Sequence, residues 1–208
     1  MNGIFRIGIT GPTGAGKGAV SSLFSSLFGI LVCDADKIYH EILESNERCK
    51  LELAESFGEG ILSNGRIDRK ALASVVFADG ASEKLLLLNE ITHRYVIDET
   101  ERRIEKARAS GEGYAVVDAP LLIEADMHLS CDRVICVLSD KETRLSRILK
   151  RDGISKEQAL MRMNKQKSDD FYIGAADVVI YNNGDIYDLE KKVREVAASL
   201  GIRNGEAQ

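Results

Sequence analysis

A glycine-rich stretch ending in lysine, Gly11-Pro12-Thr13-Gly14-Ala15-Gly16-Lys17, lies between an apolar run, Phe5 to Thr10, and a segment in which Val20, Leu23, Phe24 and Leu27 recur at i, i+3, i+4 and i+7. The run has the character of a buried strand, and the spacing after the loop is that of a helix with one apolar face. Strand, loop and helix in this order constrain the fold more than any other feature of the chain. They place the loop at the carboxyl end of a strand in a parallel α/β sheet. There the glycines let successive backbone N–H groups face inward and the helix N-terminus adds a positive dipole end, so a polyphosphate is held by main-chain donors. Lys17 then reaches the β and γ phosphates. A glycine turn without a ligand is the plainer reading, and the agreement of strand, loop, lysine and helix goes against it.

Further short β-type runs are Ile30 to Cys33, Tyr114 to Asp118, Arg133 to Leu138 and Asp177 to Tyr181, each followed by helical periodicity. They predict a parallel five-stranded sheet with crossover helices, a three-layer α/β fold. Ile186, Leu189, Val193, Val196 and Leu200 give the last helix its apolar face. Between the second and third strands lie roughly 80 residues, against the dozen or so that a crossover needs, which predicts an inserted helical subdomain. Within it Ser82 to Arg108 reads as one long helix, with Leu85, Leu88, Thr92, Tyr95 and Glu99 on one line, Ser82 as its cap and Gly111 beyond its end. Gly58, Gly60, Asn64 and Gly65 supply turns ahead of it. A second insertion, Lys141 to Gly174, is charge-rich and helical, and its position over a phosphate site suggests a lid. The expected organisation is therefore a nucleotide-binding core of residues 1–36, 112–140 and 175–208, a helical acceptor domain of 37–111 and a lid of 141–174, with Arg203 to Gln208 as a loose tail.

A chain of 208 residues suits one core fold with insertions. Hydrophobic residues at 44% and charged residues at 29% exclude a disordered or fibrous chain. A net charge of -5 offers no basic field for nucleic acid. The apolar stretch Tyr114 to Ala125 is interrupted by Asp118 and Glu124, well short of the ~20 residues of a membrane span. The first ten residues run straight into the glycine loop without the pattern of a signal peptide, so the cytoplasm is the expected location. Cys33, Cys49, Cys131 and Cys136 lack metal-site spacing and read as free, reduced thiols.

Where the loop motif calls for a serine or threonine to ligate magnesium, this chain has Gly18, followed by Ala19. Mg²⁺ keeps several waters and binds the nucleotide phosphates as well, so a further water can take the vacant position, and weakened metal affinity is expected. Thr10 and Ser21 are the nearby hydroxyls. Asp34-Ala35-Asp36 ends the second strand and places two carboxylates at strand carboxyl ends, where open α/β sheets bind ligands. A carboxylate there can take the proton of an attacking hydroxyl or hold metal-bound water; Asp34 also suits a helix cap, which leaves Asp36 as the catalytic candidate. Asp118, at the end of the third strand, is placed like the carboxylate that holds magnesium, directly or through water, with a structural strand-end aspartate as the alternative. Arg144, Arg147 and Arg151 at i, i+3 and i+7 share a helix face, and Arg162 follows; a solvated charged helix would look the same, but beside this loop the row suggests a phosphate clamp. His40, His93 and His128 have no partner pattern and read as structural or surface residues.

With these residues identified, the chain resembles the dephospho-coenzyme A kinases over nearly its whole length. The resemblance rests on several blocks in one order: Asp34-Ala35-Asp36, Phe57-Gly58, Gly65-Arg66-Ile67-Asp68-Arg69, Asp118-Ala119-Pro120-Leu121-Leu122-Ile123-Glu124, Arg151-Asp152-Gly153-Ile154-Ser155 through Arg162 and Gln166, Ala176-Asp177 and Asn182-Asn183-Gly184. It implies a nucleoside-monophosphate-kinase-like core, ATP and Mg²⁺ as cosubstrate and metal, and phosphorylation of the ribose 3′-hydroxyl of dephospho-coenzyme A. It further implies Asp36 as general base, the loop from Gly11 to Ala19 with Lys17 as phosphate site, Arg147 or Arg151 at the transferring group, and Asn182 and Gly184 near adenine. Two departures stand out: Gly18-Ala19 in place of a hydroxyl pair, and His93-Arg94 in place of His-Pro.

Two other functions share the core. Another metabolite or nucleotide kinase would differ only in its acceptor-binding insertion. A non-catalytic nucleotide-binding protein is the reading that Gly18 motivates, against which Lys17, Asp36, Asp118 and the arginines are all retained. A GTPase switch is disfavoured, because no D-x-x-G follows a strand and Asn164-Lys165-Gln166-Lys167 lacks the aspartate that reads guanine.

Overall fold

In the computed structural model of the chain, the described residues are 3–78 and 82–203. The elements begin with β1 (Phe5–Thr10), α1 (Lys17–Phe28), β2 (Leu31–Asp34), α2 (Ala35–Ser45) and α3 (Glu47–Phe57). A short hairpin, β3 (Leu62–Ser63) and β4 (Arg66–Ile67), leads to α4 (Arg69–Val76), α5 (Ser82–Ala109) and β5 (Tyr114–Asp118). The chain continues with β6 (Arg133–Leu138), α6 (Lys141–Asp152), α7 (Lys156–Asn164), α8 (Asp169–Gly174), β7 (Val178–Tyr181) and α9 (Ile186–Ser199). It divides into two compact units, one running to Asp34 and resuming at Ile104, the other spanning Ala35–Arg103.

The first unit contains the predicted five-stranded parallel sheet, in the order β2-β5-β1-β6-β7. Alternation along β1 sorts its side chains between two faces. Ile7 and Ile9 join Val20, Leu23 and Phe24 of α1 and Leu189, Val193 and Ala197 of α9 in the main core. Burying a phenylalanine such as Phe24, with no exposed surface, contributes about 1.5–3 kcal/mol. Gly8 faces the other way, where a Cβ would come within 2.8 Å of Leu122 and 2.9 Å of the Cys131 sulfur, so a larger residue would make those two side chains shift. On this second face Cys136 and Leu138 of β6 pack with Tyr172 of α8. Ile148, Ala159 and Met163 join α6 to α7. These helices occupy the segment expected to form a lid, and they belong to the same unit as the sheet.

The second unit is helical, with Ile38, Leu53 and Ile61 fully buried. Asn46 caps α3 by accepting from the Cys49 N–H at 3.0 Å, and Asp68 caps α4 by accepting from the Lys70 and Ala71 N–H groups at 2.9 and 3.1 Å. These caps satisfy main-chain donors that a helix start would otherwise leave unpaired. Where the family resemblance leads one to expect proline, Arg94 continues α5 without a break and donates twice to the Glu52 carboxylate, at 2.5 and 2.6 Å. The Tyr95 hydroxyl donates to the same group at 2.8 Å. The bonds from Arg94 and then Tyr95 hold the Glu52 carboxyl below its ordinary range.

Three local expectations need correction. The second strand begins and ends one residue later than Ile30 to Cys33, which puts Asp34 inside it, in register with Asp118. Ser82 is the first residue of α5 rather than a cap before it, and residue 81 lies outside the described residues. The stretch read as turns around Asn64 contains the β3–β4 hairpin, with Asn64 and Gly65 both at positive φ, as its tight connection requires. Most of the tail read from Arg203 to Gln208 lies outside the described residues. All four cysteines are free thiols. Burial pushes Cys136 up to about 12 and Cys49 up to about 11, which makes them inert packing groups. Among the described residues no helix is long and apolar enough to cross a membrane.

Candidate active site

The loop between β1 and α1 is curved by three glycines at positive φ: Gly11 at 135°, Gly14 at 79° and Gly16 at 102°. Each also stands where no side chain fits. A Cβ would fall 2.1 Å from the Val137 carbonyl oxygen at Gly11, 2.7 Å from the Arg144 carbonyl oxygen at Gly14 and 2.3 Å from the Asn182 amide nitrogen at Gly16. The glycines are thus required by both conformation and contact. Gly16 supplies no side-chain cap to α1, so the helix start presents its first N–H groups as main-chain donors. Lys17 folds back over the loop, its ammonium donating to the Gly11 carbonyl at 2.8 Å. This loop suits a polyphosphate, with a positive helix end and the Lys17 ammonium lying across it.

Of the arginine row on α6, the structure brings two members to the loop. Arg144 is 8% exposed, and its Nε donates to the Thr13 carbonyl at 3.0 Å. Burial pulls its guanidinium pKa down, while Asp169 opposes the shift. Arg147 reaches the Ala15 carbonyl at 3.3 Å and the Asn182 carbonyl at 3.0 Å. Arg151, in the last turn, is bonded instead to Asp152 at 2.6 Å, with its side chain 60% exposed. A shared helix face did not distinguish the three, whereas burial does. Asn182 is buried, and its side-chain amide donates to the Ala15 carbonyl at 2.8 Å, bracing the loop from β7. A Cβ on Gly184 would come within 2.6 Å of the Asp188 carboxylate. Beside α6 a cavity of about 320 Å³ opens, lined by Ser139, Lys141, Arg144, Asp169 and Tyr181 among others.

Asp118 is buried at the end of β5 and accepts a hydrogen bond from the Ser21 hydroxyl of α1 at 2.6 Å. Ser21, a nearby hydroxyl in the sequence, joins helix to carboxylate in the fold, one turn beyond Gly18. Among the described residues no three His, Cys, Asp or Glu side chains converge as a protein-only metal cage. One carboxylate, one hydroxyl and a phosphate cradle form a donor set that fits Mg²⁺, which takes few protein ligands and retains water. The Thr10 hydroxyl is buried without a hydrogen-bond partner, at the foot of the same loop. Asp36 stands exposed in the first turn of α2, two residues past β2, in the helical unit. Gln166, named in the sequence only among the blocks of the family resemblance, proves to be a contact of the loop. It accepts from the Thr13 N–H at 2.9 Å across 153 positions of chain, and no local spacing signals such a pairing.

A profile of the family described as dephospho-CoA kinase matches residues 5–188. A dephospho-CoA kinase from Corynebacterium glutamicum is 38% identical over 198 residues, covering 95% of this chain and 100% of that protein. One from Geobacter sulfurreducens is 39% identical over 193 residues, covering 92% and 96%. Among solved structures, a dephospho-CoA kinase from Campylobacter jejuni superposes with a TM-score of 0.69 at 26% identity, covering 94% of this chain and 96% of that one.

Proposed function

The chain belongs to the dephospho-CoA kinase family, and we infer from this that it transfers the γ-phosphoryl group of ATP to the 3′-hydroxyl of dephospho-coenzyme A, giving coenzyme A. The observation that carries the reading is the loop itself, where three glycines required by close contacts lead into Lys17 and the uncapped start of α1. The loop from Gly11 to Ala19 binds the phosphates through its main-chain N–H groups nearer α1, and Lys17 swings from the Gly11 carbonyl to the β and γ oxygens. Asp36 takes the proton from the attacking 3′-hydroxyl. Arg147, from its position on the loop carbonyls, carries the charge that builds on the transferring group, and Arg151 joins it only by leaving Asp152. Asn182 and Gly184 border the adenine. Residues 37–111 take the acceptor, and 141–174 act as the lid.

Asp118, with the Ser21 hydroxyl fixed on it, would hold Mg²⁺ directly or through water, and the ion would supply neutralisation of phosphate charge. Four free thiols, none in a disulfide, suit the reducing cytoplasm, where we place the reaction.

Gly18 supports a second reading, a nucleotide-binding protein without turnover, and the same position offers the test. A Cβ at Gly18 would meet nothing within 4 Å, and its φ is not in the positive range, so serine fits. The change also favours helix by a few tenths of a kcal/mol. In an assay of ATP and dephospho-coenzyme A, Gly18→Ser is expected to lower the Mg²⁺ concentration for half-maximal rate by about threefold or more. An unchanged Mg²⁺ dependence would mean that another group already fills the position. Absence of transfer in both forms would favour the binding protein.

A further inference from the structure

Thr13 is the one residue of the loop whose peptide N–H and carbonyl are both held by the α6–α8 segment. Its N–H donates to Gln166 Oε1 at 2.9 Å, its carbonyl accepts from Arg144 Nε at 3.0 Å, and Arg144 Nη2 donates to the same Gln166 oxygen at 3.2 Å. The three bonds close a ring around one residue and so hold the two peptide units that flank it. Both partners are themselves fixed. The backbone N–H of Gln166 donates to the Met163 carbonyl at 3.2 Å, just past the end of α7, and Arg144 is buried with its backbone against Gly14. Asp169 lies 3.6 Å from the Arg144 guanidinium and keeps its charge balanced.

We propose that Gln166 is a positioning residue for nucleotide binding. Its amide oxygen, held by Arg144, fixes the Pro12–Thr13 peptide plane while Arg144 fixes the Thr13–Gly14 plane, and together they set the direction of the loop leading into Gly14, Gly16 and α1. Glycine-rich backbone has the most freedom to lose on ordering, so a peptide pinned in advance removes part of that cost from phosphate binding. With its N–H committed to Gln166, Thr13 acts as an anchor, and the donors nearer α1 meet the ligand. Gln166 touches neither reacting group; it acts through the loop.

The proposal rests on reading this loop as the phosphate site, and it is tested on the full chain by ADP calorimetry and steady-state kinetics. Gln166→Met keeps length and removes the acceptor, and is expected to weaken ADP binding roughly tenfold, as for a lost bond to a partly buried donor. The KM for dephospho-coenzyme A should stay within about twofold, because the damage is local to the loop. Gln166→Glu retains an acceptor for Thr13 and faces Arg144 with an opposite charge, so it should restore ADP affinity to within about threefold of wild type. Wild-type affinity in the Met variant overturns the proposal, whatever its melting temperature. A Glu variant as weak as the Met variant, or equal losses toward both substrates, overturns it too, pointing to a general structural role. Wild-type protein without ADP affinity would overturn the loop reading together with it.

Discussion

Asp36→Asn is expected to lower turnover by about 10²-fold or more while ATP affinity stays close to wild type, the pattern of a lost general base. Asparagine keeps the shape of the side chain and suits a helix start as well as aspartate does, so stability should hardly change. What it loses is the capacity to accept a proton from the 3′-hydroxyl. The position carries the argument: Asp36 sits in the first turn of α2, directly after β2, whose last residue Asp34 lies in register with Asp118. Its side chain is exposed. Rate constants from a coupled assay and ATP affinity from calorimetry separate the two effects, and near-native turnover would remove Asp36 from the chemistry.

Lys17→Ala is expected to reduce transfer by on the order of 10³-fold and to weaken ATP binding at least tenfold, because the β and γ phosphates lose their point charge. The ammonium in the structure spans the loop to the Gly11 carbonyl at 2.8 Å, which shows that it can lie across the cradle. The loop should keep its curvature although the Gly11 carbonyl loses its bond from Lys17, since the close packing at Gly11, Gly14 and Gly16 is against Val137, Arg144 and Asn182. A melting temperature near wild type with lost ATP affinity is the predicted combination. Unchanged affinity would refute the phosphate site, whatever happened to the acceptor.

The sheet was legible because its strands are apolar runs of near-standard length, each followed by a helix with a 3.6-residue stripe; β1, β5 and β6 fall on the residues predicted. The β3–β4 hairpin was not, since two-residue strands carry no alternation and their connection resembles any other turn. The glycine loop was readable as chemistry because backbone conformation and residue type are tied at Gly11, Gly14 and Gly16. The arginine row showed a shared face but not its depth. Arg144 and Arg147 reach the loop because α6 packs against it, whereas Arg151 sits at the helix end where Asp152 is nearer. Gln166 and the Ser21–Asp118 bond join residues far apart in the chain, and such pairings leave no local pattern to read.

The identity of the acceptor is read directly by label transfer. ATP carrying a labelled γ-phosphate would be incubated with Mg²⁺, wild-type protein and, in separate reactions, dephospho-coenzyme A, shikimate and a set of nucleoside monophosphates. The account predicts label in coenzyme A, with kcat/KM for the other acceptors lower by about 10³-fold or more, because a site built to hydrogen-bond one acceptor leaves its polar groups unpaired with another. Preferred labelling of shikimate or of a nucleoside monophosphate would contradict it.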